Sequence, residues 1–275
     1  TVSGWAEALS VSHAMGGAMP LPRLLEDAVY YAEHGVPVTA GQRELCLAKA
    51  GEMDAAPGFG ELFMPQGQAV PEGTLHKNQR LAETLRRLTS DGLRSFYEGP
   101  LSQRIAADLA RAGSPVSSAD LQAHRAQRVE PLALDIKNIQ GNVRGARLFN
   151  MPPPTQGFAS LLILALFDRM GIVDPDEFAH LHALVEATKQ AFLIRDAHLT
   201  DPRFMTSPAA DFLTDRRVEA LHNAVDLERA LPWPTQPSTG DTVWLGAVDR
   251  DGIAVSFIQS IYWEFGSGVV LDETG

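Results

Sequence analysis

The sequence predicts an α+β protein that is rich in helices over its first ~220 residues and has strands near 131–149 and 242–263. Three patterns support this fold class. Apolar residues recur at helical spacing through the first part of the chain. The stretches PLALDI and RGARLFNM alternate apolar and polar residues, as expected for a hairpin. Two further alternating stretches, TVWLGAVD and IAVSFIQSIYW, are joined by the turn signal RDG.

The helical segments carry recognisable starts and ends. Prolines open the segment PLPRLLEDAVYYAEHG, and Gly35 is the expected C-cap. Leu81, Leu85 and Leu88 recur at a spacing that places them on one helix face, and SSADLQAH begins with an N-cap signal. The apolar run at 158–167, FASLLILALF, is too short to span a bilayer and predicts a core helix.

Composition limits the classes of partner. The formal charge of −11, from 23 basic and 34 acidic residues, argues against nucleic acid or an anionic membrane surface. The single cysteine, Cys46, excludes an internal disulfide and is expected to be a buried thiol on a helix. The glycine pair in HAMGGAMP lacks the spacing of a phosphate-binding or dinucleotide-binding loop, so no cofactor is expected. No signal peptide is visible, and the choice between cytoplasm and periplasm is left open.

Two polar clusters have structural explanations. His180 and His182 lie on a long amphipathic helix expected over 174–199, where a spacing of two residues puts them on different faces, so no metal site is predicted. The stretch IRDAHLTDPRF follows that helix and is interpreted as charge pairs and capping side chains.

Thr242 is the candidate nucleophile. It opens a strand directly after an exposed polar linker, which is where proteolytic cleavage sites concentrate. If the bond before Thr242 is cut, the residue gains an α-amino group with a reference pKa of about 7.7–8.0, suited to act as a base toward its own hydroxyl. The residues alone favour the simpler interpretation, in which Thr242 is an ordinary strand-forming residue.

Five blocks of sequence carry a resemblance to a known family. They are LLEDAVYYAEHGVPVT, LAETLRRLTSDGLRSFYEGPLSQRIAADL, MPPPTQGFASLLILALFDRMGI, EATKQAFLIRDAHLTDPRF and DTVWLGAVDRDGIAVSFIQSIYWEFGSGVV. Through them nearly the whole chain resembles the γ-glutamyltransferase family of N-terminal-nucleophile (Ntn) hydrolases.

The resemblance implies a fold and a processing site. The implied fold is a single structural domain, an αββα sandwich with Thr242 on an inner strand. Cleavage is expected between Asp241 and Thr242, so that 1–241 belongs to the large subunit and 242–275 begins the small subunit. Ser260 occupies the position of a hydroxyl residue that hydrogen-bonds the nucleophile.

Departures from the family pattern bear on the substrate. The nucleophile is followed by Val243 and Trp244 instead of Thr and His, and Tyr262 and Glu264 stand where the transferases have an amide and small hydroxyl residues. These four residues favour the oxamate amidohydrolase branch, with Tyr262 and Glu264 as candidate substrate-binding residues. Cephalosporin-acylase relatives are a further option. One alternative is a transferase or hydrolase of γ-glutamyl amides such as glutathione, and another is a catalytically silent helical assembly module.

The expected partner is a small-molecule amide. Because the family's chains are about twice this length, we expect a central fragment that is inactive by itself, without the donors that stabilise the oxyanion. Apolar surface exposed on such a fragment predicts association into a homodimer.

Overall fold

A computed structural model describes residues 1–136, 145–172, 178–233 and 243–275. The chain divides into two compact units. Unit 1 combines Thr1–Gln127 with Ser238–Gly275, and unit 2 is Arg128–Pro237.

Helices dominate both units, and the sheets are small. The helices are α1 (Val2–Ala14), α2 (Leu21–His34), α3 (Ala40–Met53), α4 (Phe59–Phe63), α5 (Gln79–Asp91), α6 (Gly99–Arg111), α7 (Ser118–Ala123), α8 (Gly157–Met170), α9 (Phe178–His198) and α10 (Asp215–His222). The strands are β1 (Val36–Pro37), β2 (Leu75–His76), β3 (Leu132–Ile136), β4 (Ala146–Asn150), β5 (Val243–Val248) and β6 (Ala254–Gln259). They pair antiparallel as β1–β2, β3–β4 and β5–β6. The predicted helix-rich α+β class is confirmed.

The predicted helix ends agree with the structure at two positions. Gly35 is the C-cap of α2, with φ of 96°, which glycine adopts without strain. Ser117 caps α7 in a capping box, in which Asp120 bonds back to the Ser117 backbone. On the face of α5 expected to carry Leu81, Leu85 and Leu88, the structure buries Leu85 and Leu88 and leaves Leu81 36% exposed.

Unit 1 packs around α5 and α6. Its core lies where the apolar stripes of these two helices meet α1, α7 and the short 3₁₀ segment after α5. The buried members of this core are Val2, Leu85, Leu88, Leu93, Tyr97, Leu101, Ile105 and Leu121.

Unit 2 packs around α8, the core helix expected from the apolar run. Helix α9 places Ala183, Ala187 and Ala191 along one stripe, and small residues at this spacing let two helices approach closely. Residues 174–177 of the predicted long helix lie outside the described part of the chain. The buried core of this unit consists of Phe158, Leu162, Ala165, Leu166, Ala187, Ala191, Ala209, Phe212 and Val218. None of the helices that the structure describes is both long and apolar enough to cross a membrane.

The last predicted strand is shorter than expected. Pairing of β6 with β5 ends at Gln259, four residues before the predicted end at 263. Tyr262 has φ of 74°, in the left-handed region, so extended backbone cannot continue through it. Residues 260–263 therefore form a turn, and this turn builds the candidate site.

Candidate active site

The predicted cleavage site lies at the edge of the described chain. Asp241 and Thr242 are outside the described residues, which resume at Val243. On the other side of that gap, in unit 2, the buried carboxylate of Glu186 accepts a hydrogen bond from Leu231 N at 3.1 Å. Lys189 Nζ bonds both that carboxylate and the Leu231 carbonyl, each at 2.7 Å. The chain is thus anchored at Leu231 before it enters the predicted cleavage segment.

The register of the β5–β6 hairpin defines two faces. Val243 pairs with Gln259, and Trp244 pairs with Ile258. Because side chains alternate across a strand, Trp244 and Ile258 share one face, and Val243 and Gln259 share the other. Every side chain of β5 is exposed, so the hairpin presents apolar groups on both faces.

Trp244 is held in one position although it is 61% exposed. Its indole Nε1–H donates to Ser256 Oγ at 2.8 Å across the hairpin. The ring lies over Gly246, where a Cβ atom would be only 2.6 Å from Trp244 Cη2. The ring therefore leans along β5 away from the strand's first residue, which leaves the Val243 end of the hairpin uncovered by this side chain.

Ser260 begins the turn after β6. Its Oγ accepts a hydrogen bond from Tyr262 N at 2.9 Å. A hydroxyl has one donor besides its acceptor lone pairs, so this bond is compatible with the predicted donation from Ser260 to a nucleophile. Tyr262 is 85% exposed in its left-handed conformation, a type of backbone strain that clusters at functional sites.

The turn closes one side of a cleft of about 390 Å³ in unit 1. Its size is within the range of small-molecule pockets. The lining residues come from α3, both strands of the hairpin and the turn: Leu45, Val243, Gln259, Ser260, Ile261, Trp263 and Glu264.

Three contacts of aromatic rings hold Trp263 and Phe265, the two neighbours of Glu264. Lys49 Nζ on α3 lies 5.0 Å from the centroid of the Trp263 ring, a cation–π distance. Phe265 packs edge-on against Phe59, with centroids 5.0 Å apart, and also contacts Phe63. Because both neighbours of Glu264 are anchored, the Glu264 backbone is fixed at the cleft.

The structure brings some predicted site residues together and separates another. Ser260 and Glu264 line the same cleft, whereas Tyr262 is not among its lining residues. The sequence analysis missed Leu45 and Trp263. A signal for Trp263 was present in the aromatic run YWEF, while Leu45 is remote in sequence and reaches the cleft only through tertiary packing.

Cys46, next to Leu45, has the predicted state. It is buried on α3, and burial raises the pKa of its thiol. A protonated thiol is a poor nucleophile, so Cys46 is a packing residue. The charge-pair interpretation of IRDAHLTDPRF is also confirmed, since Arg203 Nη2 contacts Asp201 Oδ2 at 2.6 Å and lowers the pKa of that carboxyl to about 2. Across the described segments, no three His, Cys, Asp or Glu side chains group as metal ligands would.

Comparison with known proteins identifies the family. The sequence model of the Gamma-glutamyltranspeptidase family matches residues 1–275. The chain belongs to the gamma-glutamyltranspeptidase family. The family resemblance inferred from the five sequence blocks is thereby confirmed, and the family is one of Ntn-hydrolase enzymes.

Curated relatives refine the position within the family. The chain is 49% identical over 276 residues to the oxamate amidohydrolase proenzyme of Klebsiella pneumoniae, covering 100% of this chain and 51% of that protein. It is 34% identical over 277 residues to the glutathione hydrolase-like YwrD proenzyme of Bacillus subtilis, again covering 51% of the relative. The chain thus spans about half the length of these gamma-glutamyltranspeptidase-family relatives.

A solved structure supports the fold. The chain superimposes on cephalosporin acylase from Bacillus halodurans with a TM-score of 0.84 and 31% identity, covering all of this chain and 50% of the other. Gamma-glutamyltranspeptidase from Pseudomonas nitroreducens matches with a TM-score of 0.69 at 23% identity, over 82% of this chain and 65% of that one. These neighbours have the predicted fold class.

Proposed function

We propose that the protein is an autoprocessing N-terminal-threonine amidohydrolase that acts on a small, oxamate-like acyl amide. The observation that carries this proposal is the β5–β6 register. Val243 pairs with Gln259 at the end of the β5–β6 ladder. Thr242 directly precedes this pair in the sequence and Ser260 directly follows it, and Val243, Gln259 and Ser260 line one cleft.

Self-cleavage in this proposal uses the Thr242 hydroxyl. The oxygen attacks the Asp241 carbonyl carbon, the acyl group shifts from nitrogen to oxygen, and water hydrolyses the resulting ester. The products are a fragment that ends at Asp241 and a fragment that begins with the free amine of Thr242. The proenzyme names of the relatives from Klebsiella pneumoniae and Bacillus subtilis support this step.

The mature Thr242 then hydrolyses the substrate amide. Its α-amine takes the hydroxyl proton as the oxygen adds to the amide carbonyl, and the proton passes to the departing nitrogen. Water cleaves the acyl-enzyme, which releases the acid and restores the hydroxyl. Ser260 donates a hydrogen bond to the nucleophile, and the cleft beside it receives the substrate.

The first experiment measures the intact mass of the full-length protein. We expect wild type to yield two fragments separated between Asp241 and Thr242, Thr242→Ala to stay whole, and Thr242→Ser to be cut because it retains a hydroxyl. If wild type stays whole after long incubation, autoprocessing is excluded. If Thr242→Ala is cut at the same bond, Thr242 is not the nucleophile.

Substrate assays separate the remaining candidates. We expect ammonia release from oxamate and little p-nitroaniline release from γ-glutamyl-p-nitroanilide. The reverse result favours the γ-glutamyl alternative, for which the Bacillus subtilis relative is the supporting observation. The assembly-module alternative draws support from the exposed apolar hairpin, and it gains only if Thr242→Ala changes neither processing nor activity.

A further inference from the structure

Glu264 has a buried carboxylate oxygen that takes no part in the proposed self-cleavage and amide hydrolysis. Among the described residues, its Oε2 atom has no hydrogen-bond partner although it is buried. Leaving a buried acceptor unpaired is costly, more so for a charged group, and an unpaired group in a native site calls for an explanation. Glu264 lines the cleft, and the soft terminal torsion of a glutamate lets either oxygen turn toward that space.

Among the described residues that line the cleft, Glu264 is the one ionisable group, none is a cation, and most of the others are apolar. The nearby Lys49 contacts the Trp263 ring and pairs with Glu52 Oε1 at 3.0 Å. Gln259 Oε1 accepts a hydrogen bond from Trp5 Nε1 at 3.2 Å, and no bond from Gln259 or Ser260 reaches Glu264 Oε2 in the described structure. A ligand that carries a hydrogen-bond donor would pair this oxygen.

We infer that Glu264 is a specificity-determining residue that accepts a hydrogen bond from the N–H₂ group of a primary amide bound in the cleft. This inference rests on the proposed function, because it assigns the leaving-group side of the same site. It restricts the substrate class to amides whose nitrogen carries hydrogens. It also sets the orientation of an anionic substrate such as oxamate, since the Glu264 carboxylate repels the substrate carboxylate and attracts the amide end.

The same residue assists product release. Hydrolysis converts R–CO–NH₂ and water to R–COO⁻ and ammonium, so the group facing Glu264 changes from a donor to an anion. Two carboxylates at hydrogen-bond distance repel each other, and the product is bound less tightly than the substrate. Replacement of Glu264 by a neutral isostere should therefore shift substrate and product affinities in opposite directions.

The test compares Glu264→Gln with wild type in the full-length protein. We expect the KM for oxamate to rise about tenfold with a smaller change in kcat, the scale of one hydrogen bond to a charged group. The inhibition constant of oxalate should fall in the same variant. Equal KM and equal oxalate inhibition in an active Glu264→Gln enzyme overturn the inference.

The matched control is Glu44→Gln, which removes the same charge from the exposed surface of α3 beside Leu45 without changing a lining residue. We expect its KM and inhibition constants to equal those of wild type. If Glu44→Gln shifts KM and the inhibition constant as Glu264→Gln does, the loss of one negative charge explains the effect, and Glu264 does not contact the substrate directly.

A binding measurement separates this inference from the proposed function. Calorimetry on Thr242→Ala and on Thr242→Ala with Glu264→Gln reports the affinities for oxamate and oxalate without turnover. Opposite shifts in the two Kd values support the inference even if wild type proves unable to process itself. Absence of oxamate binding to Thr242→Ala, or identical Kd values in the two proteins, overturns it.

Discussion

The buried carboxylate of Asp108 on α6 holds the backbone of Glu273 through a hydrogen bond. Its Oδ2 accepts from Glu273 N at 2.9 Å, Asp108 is only 3% exposed, and its other oxygen pairs with Arg111. Three further bonds hold the same stretch of unit 1, from side chains on or beside α5 to backbone carbonyls. They are Asn78 Nδ2 to Gly275 O, Arg80 Nη1 to Asp272 O and Thr84 Oγ1 to Thr274 O. These contacts would keep the proposed 242–275 fragment on the helices after cleavage.

Replacing Asp108 with alanine should destabilise unit 1. The substitution leaves Glu273 N without its acceptor and Arg111 without its buried partner, and we expect the free energy of unfolding to fall by about 2–3 kcal/mol. Thermal and urea unfolding followed by circular dichroism measures the change. Asp27→Ala on α2 is the control, since Asp27 is exposed and should alter stability by less than about 0.5 kcal/mol. Equal losses of stability in the two variants would show that the contacts of Asp108 do not stabilise unit 1.

Position 58, in the loop before α4, requires a glycine because the backbone of the 242–275 segment approaches it closely. Its φ is 76°, and a Cβ atom there would lie 2.3 Å from Val270 O. We expect Gly58→Ala to cost about 2 kcal/mol or more through backbone strain and overpacking. Gly60→Ala, two residues later, meets nothing within 4 Å and should be neutral or stabilising by up to about 1 kcal/mol. Comparable losses in both variants would contradict this account.

Stability should fall in mild acid because of His76. The ring stacks on Phe63, with centroids 5.3 Å apart, and burial lowers its pKa from the ordinary 6.5. The unfolded chain therefore takes up a proton more readily than the folded one as the pH falls through 6.5, so the stabilisation present above that value is lost below it.

The measurement is the change in Tm between about pH 8 and about pH 5.5. We expect His76→Phe, which keeps an aromatic ring and removes the titration, to show a smaller loss of Tm than wild type. His13→Gln on the exposed face of α1 is the control and should retain the wild-type loss. If His76→Phe loses as much Tm as wild type over this pH range, groups other than His76 cause the pH dependence.

Much of the fold was predictable because local patterns decided it. The alternation in PLALDI and RGARLFNM leads to the β3–β4 pair, and the apolar run at 158–167 becomes the buried helix α8. The exposure of Leu81 beside buried Leu85 and Leu88 was not predictable, because helical spacing identifies a face but not its width. The end of β6 was misplaced because nothing in SIYW signals a left-handed tyrosine, a conformation that the bond from Tyr262 N to Ser260 Oγ supports.

Only those residues of the candidate site that lie close together in the sequence could be predicted. Ser260 and Glu264 follow the hairpin in sequence, so the turn brings them to one cleft. On α3, about two hundred residues earlier, Leu45 lines that cleft and Lys49 contacts Trp263, and no sequence spacing reports such contacts. Thr242 was found by family resemblance, and its role stays a prediction.

Ser260→Ala should slow both proposed reactions of Thr242. Removing the hydroxyl deletes one hydrogen bond to a group that gains charge as it reacts, so we expect self-cleavage and amide hydrolysis to slow by roughly tenfold to a hundredfold. Ser260→Thr keeps the hydroxyl and should retain most of the rate. The measurement is the rate of appearance of the 242–275 end of the chain by mass spectrometry, together with kcat for oxamate.

The control for Ser260 is Ser267, because it makes the same kind of local bond. Ser267 Oγ accepts from Val269 N at 3.2 Å, as Ser260 Oγ accepts from Tyr262 N, but Ser267 is exposed and does not line the cleft. Ser267→Ala should therefore leave both rates unchanged. If Ser267→Ala and Ser260→Ala slow the reactions equally, loss of turn geometry explains the effect, and Ser260 has no direct contact with the nucleophile.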